Sequence, residues 1–285
     1  MYIGKIINDK LIDIIVYLEN YYDADLIYID GPIADDLNTI VIDEIGRLKD
    51  KSDLKEKVFI MLTTNGGDAN SAERLVNILR YNYKTVNFLI PDHAYSAGTI
   101  LCMSGDKIYM NYNSVLGPID PQVRNKEGRY VPALGYLDKI DKLLEKARKG
   151  TISDAEYLIL KDFDLAEISF YEQARDLTVD LLKKWLVKYK FKDWTRHKSS
   201  GKVVTDDEKT ARAEEIAKGL GDYKKWKAHG RPLNMEILKD LKLVVDDFGQ
   251  DEDIEKNIMS FYTMAQEFKK LNRYQGMIFT REGRF

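Results

Sequence analysis

Two short segments of small and polar residues could together form a site for acyl transfer. The first contains Gly66 and Gly67 and the second contains Ser96. Each follows an apolar stretch, at residues 58–62 and 86–90, so each is expected to leave the end of a buried strand. A serine in such a turn can act as a nucleophile, and backbone N–H groups exposed by a neighbouring diglycine loop can stabilise an oxyanion. The spacing therefore indicates covalent acyl-transfer chemistry.

The elements around these segments alternate between strand and helix patterns. Short apolar runs predict strands, and helical periodicity predicts helices, in the order strand 26–29, helix 35–48, strand 58–62, helix 69–81, strand 86–90, helix from Ser96, strand 107–110. This alternation with short connections predicts an α/β fold with parallel strands. In such sheets reactive groups gather at the carboxyl ends of the strands, which is where the two segments fall.

The flanking parts of the chain are predominantly helical in pattern. We predict an N-terminal helix that ends near Asp23, and a second set of elements beyond Pro121. These are an amphipathic stretch at 134–148, one long helix at 164–189, a polar loop at 190–202, a helix from Thr205, a helix at 253–271 and a polar tail. The chain is accordingly divided into an N-terminal helix (1–24), a main domain (25–250) and a C-terminal helix with tail (251–285).

Composition excludes several classes of function. The 285 residues are 44% hydrophobic with six prolines, as in an ordered globular protein, and 44 basic residues against 47 acidic ones give no global attraction to nucleic acid. The single cysteine, Cys102, excludes an internal disulfide and fits a reducing compartment. The apolar run at 11–18 is too short to span a bilayer, and no secretion signal is evident, so we expect a cytoplasmic protein. No phosphate loop or metal-ligand cluster appears, so no cofactor is expected.

In their order and context, these motifs resemble those of the Clp protease/signal peptide peptidase A/crotonase superfamily, and most closely the serine dehydrogenase proteinase family. The resemblance covers residues 25–125 well and residues 226–246 moderately. It implies the repeated β-β-α/β-α spiral of that superfamily, with a mostly parallel sheet and added terminal helices. It also implies that Ser96 is the nucleophile and that the amides of Gly66, Gly67 and Ala97 form the oxyanion hole.

The resemblance also bears on the catalytic base. Clp-type proteases carry a histidine one strand beyond the serine, whereas this chain has Asp120 there. His229 lies in a late segment, before a helix and a closing strand at 243–245, where Clp proteases carry their aspartate. The serine dehydrogenase proteinase family has this exchanged order, so the resemblance implies a triad of Ser96, Asp120 and His229. Chain order is no obstacle, because a triad is defined by geometry and role.

Other interpretations remain open from the sequence. Ser96 could be a helix N-cap, and His229 a loop histidine with no chemical role. A Ser–Lys dyad of the signal peptide peptidase A type would use Lys161, with Lys149 as the next candidate. The chain could also be a silent member of the superfamily that binds or assembles partners, or a crotonase-type enzyme acting on acyl-CoA.

Two expectations concern partners. Helices 164–189 and 253–271 carry more apolar residues than one face needs, which predicts a homo-oligomer, a ring or a trimer-based assembly, with peptides or unfolded proteins as substrates. The basic and aromatic run at 183–198 fits a nucleic-acid or membrane surface, but a solvated helix face with inward aromatics is the favoured interpretation.

Overall fold

The computed structural model describes residues 2–52, 54–124, 128–197 and 200–284. Its strands are β1 (Asp25–Asp30), β2 (Lys57–Thr63), β3 (Thr85–Leu89), β4 (His93–Ala94), β5 (Lys107–Met110), β6 (Val115–Leu116), β7 (Gln122–Arg124), β8 (Tyr130–Pro132), β9 (Asp246–Asp247), β10 (Met277–Thr280) and β11 (Gly283–Arg284). Its α-helices are α1 (Tyr2–Tyr22), α2 (Asp35–Lys51), α3 (Ala69–Asn82), α4 (Ala97–Cys102), α5 (Ala133–Arg148), α6 (Asp154–Lys161), α7 (Leu165–Trp185), α8 (Asp206–Leu220), α9 (Tyr223–Trp226), α10 (Met235–Asp240) and α11 (Glu252–Leu271).

The main sheet is mostly parallel. Its strand order is β11-β10-β1-β2-β3-β5-β9, in which β1, β2, β3, β5 and β9 run parallel and β10 is antiparallel to β1. A parallel two-stranded ladder of β4 and β6 and an antiparallel pair of β7 and β8 complete the strands. The predicted α/β fold with a mostly parallel sheet is confirmed. Because the central strands point the same way, their carboxyl ends form one edge of the sheet.

The sheet is covered on both faces. Along β1, Ile27 and Ile29 belong to the core shared with α2, α3, α4, α7 and α8, whereas Leu26 and Tyr28 belong to the core shared with α1 and α11. This alternation follows from the two-residue period of a strand, and burial on both faces explains why the strand sequences are continuously apolar. Helices α1 and α11, which come from the first and last predicted segments, thus pack on the same face of the sheet. The division of the chain into three parts stays a prediction.

The C-terminal residues differ from the predicted polar tail. Residues 277–280 form β10, which pairs with β1 and is buried, and Arg281 beside it forms ion pairs with Glu19 and Asp25 at 2.9 and 2.7 Å. A run of three apolar residues has too little periodicity to predict a strand, and its pairing partner lies some 250 positions earlier in the chain. The closing strand predicted at 243–245 is also displaced, since the ladder with β5 forms at Asp246–Asp247.

The predicted long helix changes its winding before it ends. The α-helical part ends at Trp185, and Leu186–Lys190 continue as a π-helix, a form often found at functional sites. None of the helices in the described residues is long and apolar enough to cross a membrane.

The apolar side chains that we expected to be exposed on α7 and α11 are covered within one chain. The fully or largely buried ones are Leu181, Leu182, Trp185, Ile258, Phe261 and Phe268. Leu177 and Met264 are half-buried and pack against the same cores. The prediction that one chain leaves these side chains uncovered is therefore wrong, and they give no support to an oligomer. Exposed apolar side chains lie on several elements, and those on α6 and the start of α7 include Leu158 at 66% and Leu165 at 81% exposure.

Candidate active site

Ser96 occupies a strained turn between β4 and α4. Its backbone has φ 52° and ψ −117°, a region that non-glycine residues rarely adopt, and its side chain makes no capping hydrogen bond to the helix. Hydrolases of other folds also expose a nucleophilic serine on a strained strand-to-helix turn. Capping therefore does not explain the serine, and strain of this kind is concentrated at functional sites.

The diglycine loop lies directly against this turn. Thr64, the residue after β2, pairs with the segment before Ser96: its N–H donates to the His93 carbonyl at 3.0 Å and its carbonyl accepts from Tyr95 N–H at 2.9 Å. A Cβ atom at Gly66 would lie 2.8 Å from Ser96 Cβ and 2.9 Å from the Tyr95 carbonyl oxygen. Only glycine fits there, so the loop and the serine turn are built to approach each other.

The two glycines differ in what their amides can do. The Gly66 N–H donates to Thr64 Oγ1 at 3.0 Å, so this amide is already used. The Gly66 carbonyl accepts from Ile33 N–H at 2.9 Å, and the next peptide bond is trans, so the Gly67 N–H points away from Ile33. Of the two predicted oxyanion donors in this loop, Gly66 approaches Ser96 closely, and Gly67 has an N–H group that points away from Ile33.

A second amide is available at the first residue of α4. The Ser96 carbonyl accepts from Ile100 N–H at 3.1 Å along the helix, so the Ala97 N–H in the same peptide group points out of the helix end. Within the described ranges, neither the Ala97 N–H nor the Gly67 N–H has a hydrogen-bond acceptor. These two N–H groups, one in the residue after Ser96 and one in the diglycine loop, are candidates for the donors of an oxyanion hole.

Asp120 and His229 are in direct contact, although 109 positions separate them in the chain. His229 Nδ1 lies 2.9 Å from Asp120 Oδ1, and Gln122 Nε2 donates to Asp120 Oδ2 at 3.0 Å. The aspartate is buried, at 3% exposure. An ionised carboxylate only accepts hydrogen bonds, so it places the imidazole proton on Nδ1 and leaves Nε2 as an acceptor. This is the tautomer that a general base requires.

The backbone brings the parts of the candidate active site together. Ser96 follows β4 and Asp120 follows β6, and these two strands pair in parallel. Thr99 Oγ1 strengthens the junction, since it accepts from the Gly117 N–H at 3.0 Å and can donate its one proton to the carbonyl of Ala94 or of Gly117. The His229 segment joins them through Leu233, whose backbone exchanges hydrogen bonds of 2.9 and 3.0 Å with Leu116 of β6.

One contact of a complete triad is absent. In the part of the chain that the structure describes, Ser96 Oγ makes no hydrogen bond, to His229 or to any other group. His229 is about a quarter exposed, at 26% of its side chain, and lies in the loop after α9. Catalytic hydrogen bonds are often long without substrate and tighten when substrate binds.

The other ionisable candidates lie in different surroundings. Lys161 is exposed at the end of α6, a helix with no buried residue. A lysine base must be desolvated to lose its proton, and this position provides no desolvation. Lys149 is exposed and pairs with Glu145. Burial raises the pKa of the Cys102 thiol well above its usual value, as expected for a structural cysteine.

The remaining histidines have other partners. His93 Nδ1 lies 3.0 Å from Asp92, and its ring stacks on Tyr95 next to the serine turn. His197 Nε2 lies 3.0 Å from Glu208. Gln122 was not among the residues predicted for the site. Its position was the available signal, because a polar residue two positions after Asp120 lies on the same side of an extended segment.

Comparison with known proteins places the chain in a family. A sequence profile of ClpP-like SDH-type serine proteinases matches residues 42–211, which include the diglycine loop, Ser96 and Asp120 but not His229. The chain belongs to this family of ClpP-like serine proteinases, and the resemblance noted from the motifs is confirmed.

Individual relatives are uncharacterized or distant. The chain is 26% identical over 220 residues to the uncharacterized protein MJ0137 of Methanocaldococcus jannaschii and 31% identical over 187 residues to the uncharacterized protein MJ1495 of the same organism. These matches cover 77% and 66% of this chain but only 61% and 51% of the two relatives. Among solved structures, a variant of a membrane-bound stomatin-specific protease aligns over 81% of both chains with 14% identity and a TM-score of 0.46.

Proposed function

We propose that this chain is a serine endopeptidase that hydrolyses peptide bonds without ATP, through an acyl-enzyme on Ser96. The observation that carries the proposal is the strained serine turn, together with the amides of Gly67 and Ala97, for which the described part of the chain provides no acceptor. Membership of the ClpP-like serine proteinase family supports the same reaction class. Peptides and unfolded protein segments are the proposed substrates.

In the proposed mechanism His229 Nε2 takes the proton of Ser96 Oγ as that oxygen attacks the scissile carbonyl carbon. The carbonyl oxygen becomes an oxyanion, held by the N–H groups of Gly67 and Ala97. The tetrahedral intermediate then expels the amine, which receives the proton from His229. Asp120 stabilises the imidazolium throughout. Water, deprotonated by the same histidine, releases the acyl group and restores the serine.

The close approach of Ser96 and His229 that this mechanism needs is the step we assign to substrate binding. The segments that carry both residues pair with β6, through β4 for Ser96 and through Leu233 for His229, and we assign the remaining approach to the His229 loop. The loop has one residue with a left-handed backbone, Lys227 at φ 64°, which marks a point where the chain can turn.

We also propose that the enzyme works as a homo-oligomer. The supporting observation is α6, which buries no residue within one chain although it exposes Tyr157, Leu158 and Ile159. Helices in proteins owe most of their stability to a packed apolar face, so a second copy is the proposed cover for this one. An enclosed serine would restrict the enzyme to flexible substrates.

Replacement of the nucleophile tests the proposal. We expect Ser96→Ala to lower the hydrolysis of casein and of fluorogenic peptides by at least about 10³-fold. The matched control is Ser260→Ala, at an exposed position on α11, which should keep wild-type activity. Unchanged circular dichroism would show that both variants fold. Equal hydrolysis by the Ser96 variant would overturn the assignment, and a wild-type protein that cleaves no peptide would favour the silent binding module.

A second set of variants separates the two candidate bases. His229→Ala should be nearly as inactive as Ser96→Ala, whereas His197→Ala, which removes a histidine bonded to Glu208, should be active. Lys161→Ala should change kcat/KM by less than about threefold, as for an exposed side chain. An inactive Lys161 variant beside an active His229 variant would transfer the role of the base to lysine.

A further inference from the structure

The segments that carry the candidate active site pair with one another in a fixed order. The segment around Ile33 pairs with the diglycine loop, this loop is joined to β4 through Thr64, β4 pairs with β6, and β6 pairs with the His229 loop through Leu233. Neighbouring strands lie about 4.8 Å apart, so about 14 Å separates the diglycine loop from the His229 loop. Ser96 follows β4 and therefore has the diglycine loop on one side and the His229 loop on the other.

The side of the site that contains the diglycine loop is acidic. Residues 31–37 and 64–70 contain three carboxylates, Asp35, Asp36 and Asp68, and no lysine or arginine. All three carboxylates are exposed, and in the ranges that the structure describes none of them forms an ion pair. This side of the site therefore disfavours a second carboxylate from a bound peptide.

The side of the site that contains His229 is basic. Residues 222–235 contain four cations and one carboxylate, and that carboxylate caps α9. One of the cations pairs with Asp138. The other three, Lys225, Lys227 and Arg231, are exposed and have no carboxylate partner in the described part of the chain. Because the whole chain has a net charge of −3, this local excess of cations is a property of the segment and not of the composition.

The proposed mechanism determines which half of a peptide meets these cations. The acyl half of the substrate is bonded to Ser96 and is held by the oxyanion-hole amides. His229 must reach the leaving nitrogen in order to protonate it. The residues on the leaving-group side of the scissile bond therefore pass beside the His229 loop.

We propose that the enzyme selects peptides with acidic residues on the leaving-group side of the scissile bond. This inference rests on the proposed function and names its substrate class. Lys227 and Arg231 are each two positions from His229, so their backbones lie within about 7 Å of it. Exposed charges act over about 8 Å at physiological salt, so carboxylates in the first few leaving-group residues are within range. The acidic diglycine side opposes the reverse placement, so the charges also fix the direction of the peptide.

Four fluorogenic peptides of one neutral parent sequence test the proposal. In three of them the second and third leaving-group residues are both Glu, both Gln or both Lys, and the fourth carries the two Glu residues on the acyl side instead. We expect kcat/KM for leaving-group Glu to exceed that for Gln by at least about fivefold, and Gln to exceed Lys. Acyl-side Glu should be no better than Gln. In about 1 M salt, which screens charges within about 3 Å, the preference should fall below about twofold.

A charge-removing variant links the preference to the His229 loop. We expect Arg231→Gln to lower the ratio of kcat/KM between the Glu and Gln peptides by at least about twofold. The matched control is Lys51→Gln, which also removes one exposed cation, but at the last residue of α2, near the amino ends of the strands. The control should keep the wild-type ratio. Circular dichroism on both variants excludes loss of fold.

Three results would overturn this inference and leave the proposed function standing. They are equal kcat/KM for the Glu and Gln peptides, a preference for Glu that is the same on either side of the bond, and a ratio that Arg231→Gln leaves unchanged. In each of these cases the wild type still cleaves peptides. A wild type that cleaves none of the four peptides would instead overturn the proposed function, and this inference with it.

Discussion

Replacing Asp120 with asparagine tests how the imidazole of His229 is held. The carboxylate accepts two hydrogen bonds, from His229 Nδ1 at 2.9 Å and from Gln122 Nε2 at 3.0 Å. Asparagine offers one acceptor and one donor in the same place. If its NH₂ faces the imidazole, Nδ1 must accept and the ring proton moves to Nε2, where it blocks transfer from Ser96. The alternative orientation directs NH₂ at the amide of Gln122.

The size of the effect follows from this competition. A wrong tautomer costs about 10⁴-fold in rate, or roughly 5 kcal/mol, whereas loss of the negative charge with the right tautomer costs about 1–3 kcal/mol. Because Gln122 donates toward the second oxygen, it favours the orientation that gives the wrong tautomer. We therefore expect Asp120→Asn to lower kcat/KM on a fluorogenic peptide by about 10³- to 10⁴-fold.

A second substitution distinguishes tautomer from charge. In the double variant Asp120→Asn/Gln122→Glu, the glutamate accepts from the asparagine NH₂ and turns the amide oxygen toward His229. We expect the double variant to recover at least about tenfold in kcat/KM over Asp120→Asn. The Nδ1 proton should be visible by NMR in the wild type and the double variant and absent in the single one. A single variant within threefold of wild type, or a double variant no better than the single one, would refute this reasoning.

Four further outcomes follow from the structure. Gly66→Ala would place a Cβ 2.8 Å from Ser96 Cβ, so we expect peptidase kcat to fall at least about 100-fold while KM changes little. Arg281→Met leaves the largely buried carboxylates of Glu19 and Asp25 without their cationic partner. We expect the free energy of unfolding, measured by thermal denaturation, to fall by about 3 kcal/mol. Lys190→Met removes a half-buried charge whose pKa is lowered to about 8, so it should raise the melting temperature at pH 7. The pKa of a lysine in the unfolded chain is about 10.4. As pH rises from about 8 toward that value, the folded wild type gains stability, so the difference in melting temperature between variant and wild type should close. A difference that stays constant with pH would contradict this prediction. Leu158→Glu should lower the molar mass measured by light scattering if α6 is the subunit contact, and an unchanged assembly would place the contact elsewhere.

The sequence was most informative where strands are buried on both faces and helices carry capping residues. The strands at 26–29, 58–62, 86–90 and 107–110 were each predicted to within one or two residues, since continuous apolar runs leave few alternatives. Asp68 directly precedes the helix predicted at 69–81, and its side chain caps α3 by accepting from Ser71 N–H. Local chemistry decides such features, so a single sequence reveals them.

Features that depend on long-range pairing could not be predicted in this way. The sequence treated Gly66 and Gly67 as equivalent donors, whereas the bond from Ile33 to the Gly66 carbonyl decides which amide is unused. The strand β10 depends on its pairing with β1, and the burial of Leu182 depends on helices that pack over it. The Asp120–His229 contact was proposed from family resemblance, and the structure brings these two residues together without a bond to Ser96.

The central claim is that Ser96 is an activated nucleophile, and labelling with a fluorophosphonate probe tests it most directly. Such probes form a covalent bond only with a serine whose hydroxyl is activated. We expect mass spectrometry to find one adduct per chain, on the peptide that contains Ser96, and none in the Ser96→Ala or His229→Ala variants. A protein that hydrolyses peptides but carries the adduct on another serine, or carries none, would contradict the account.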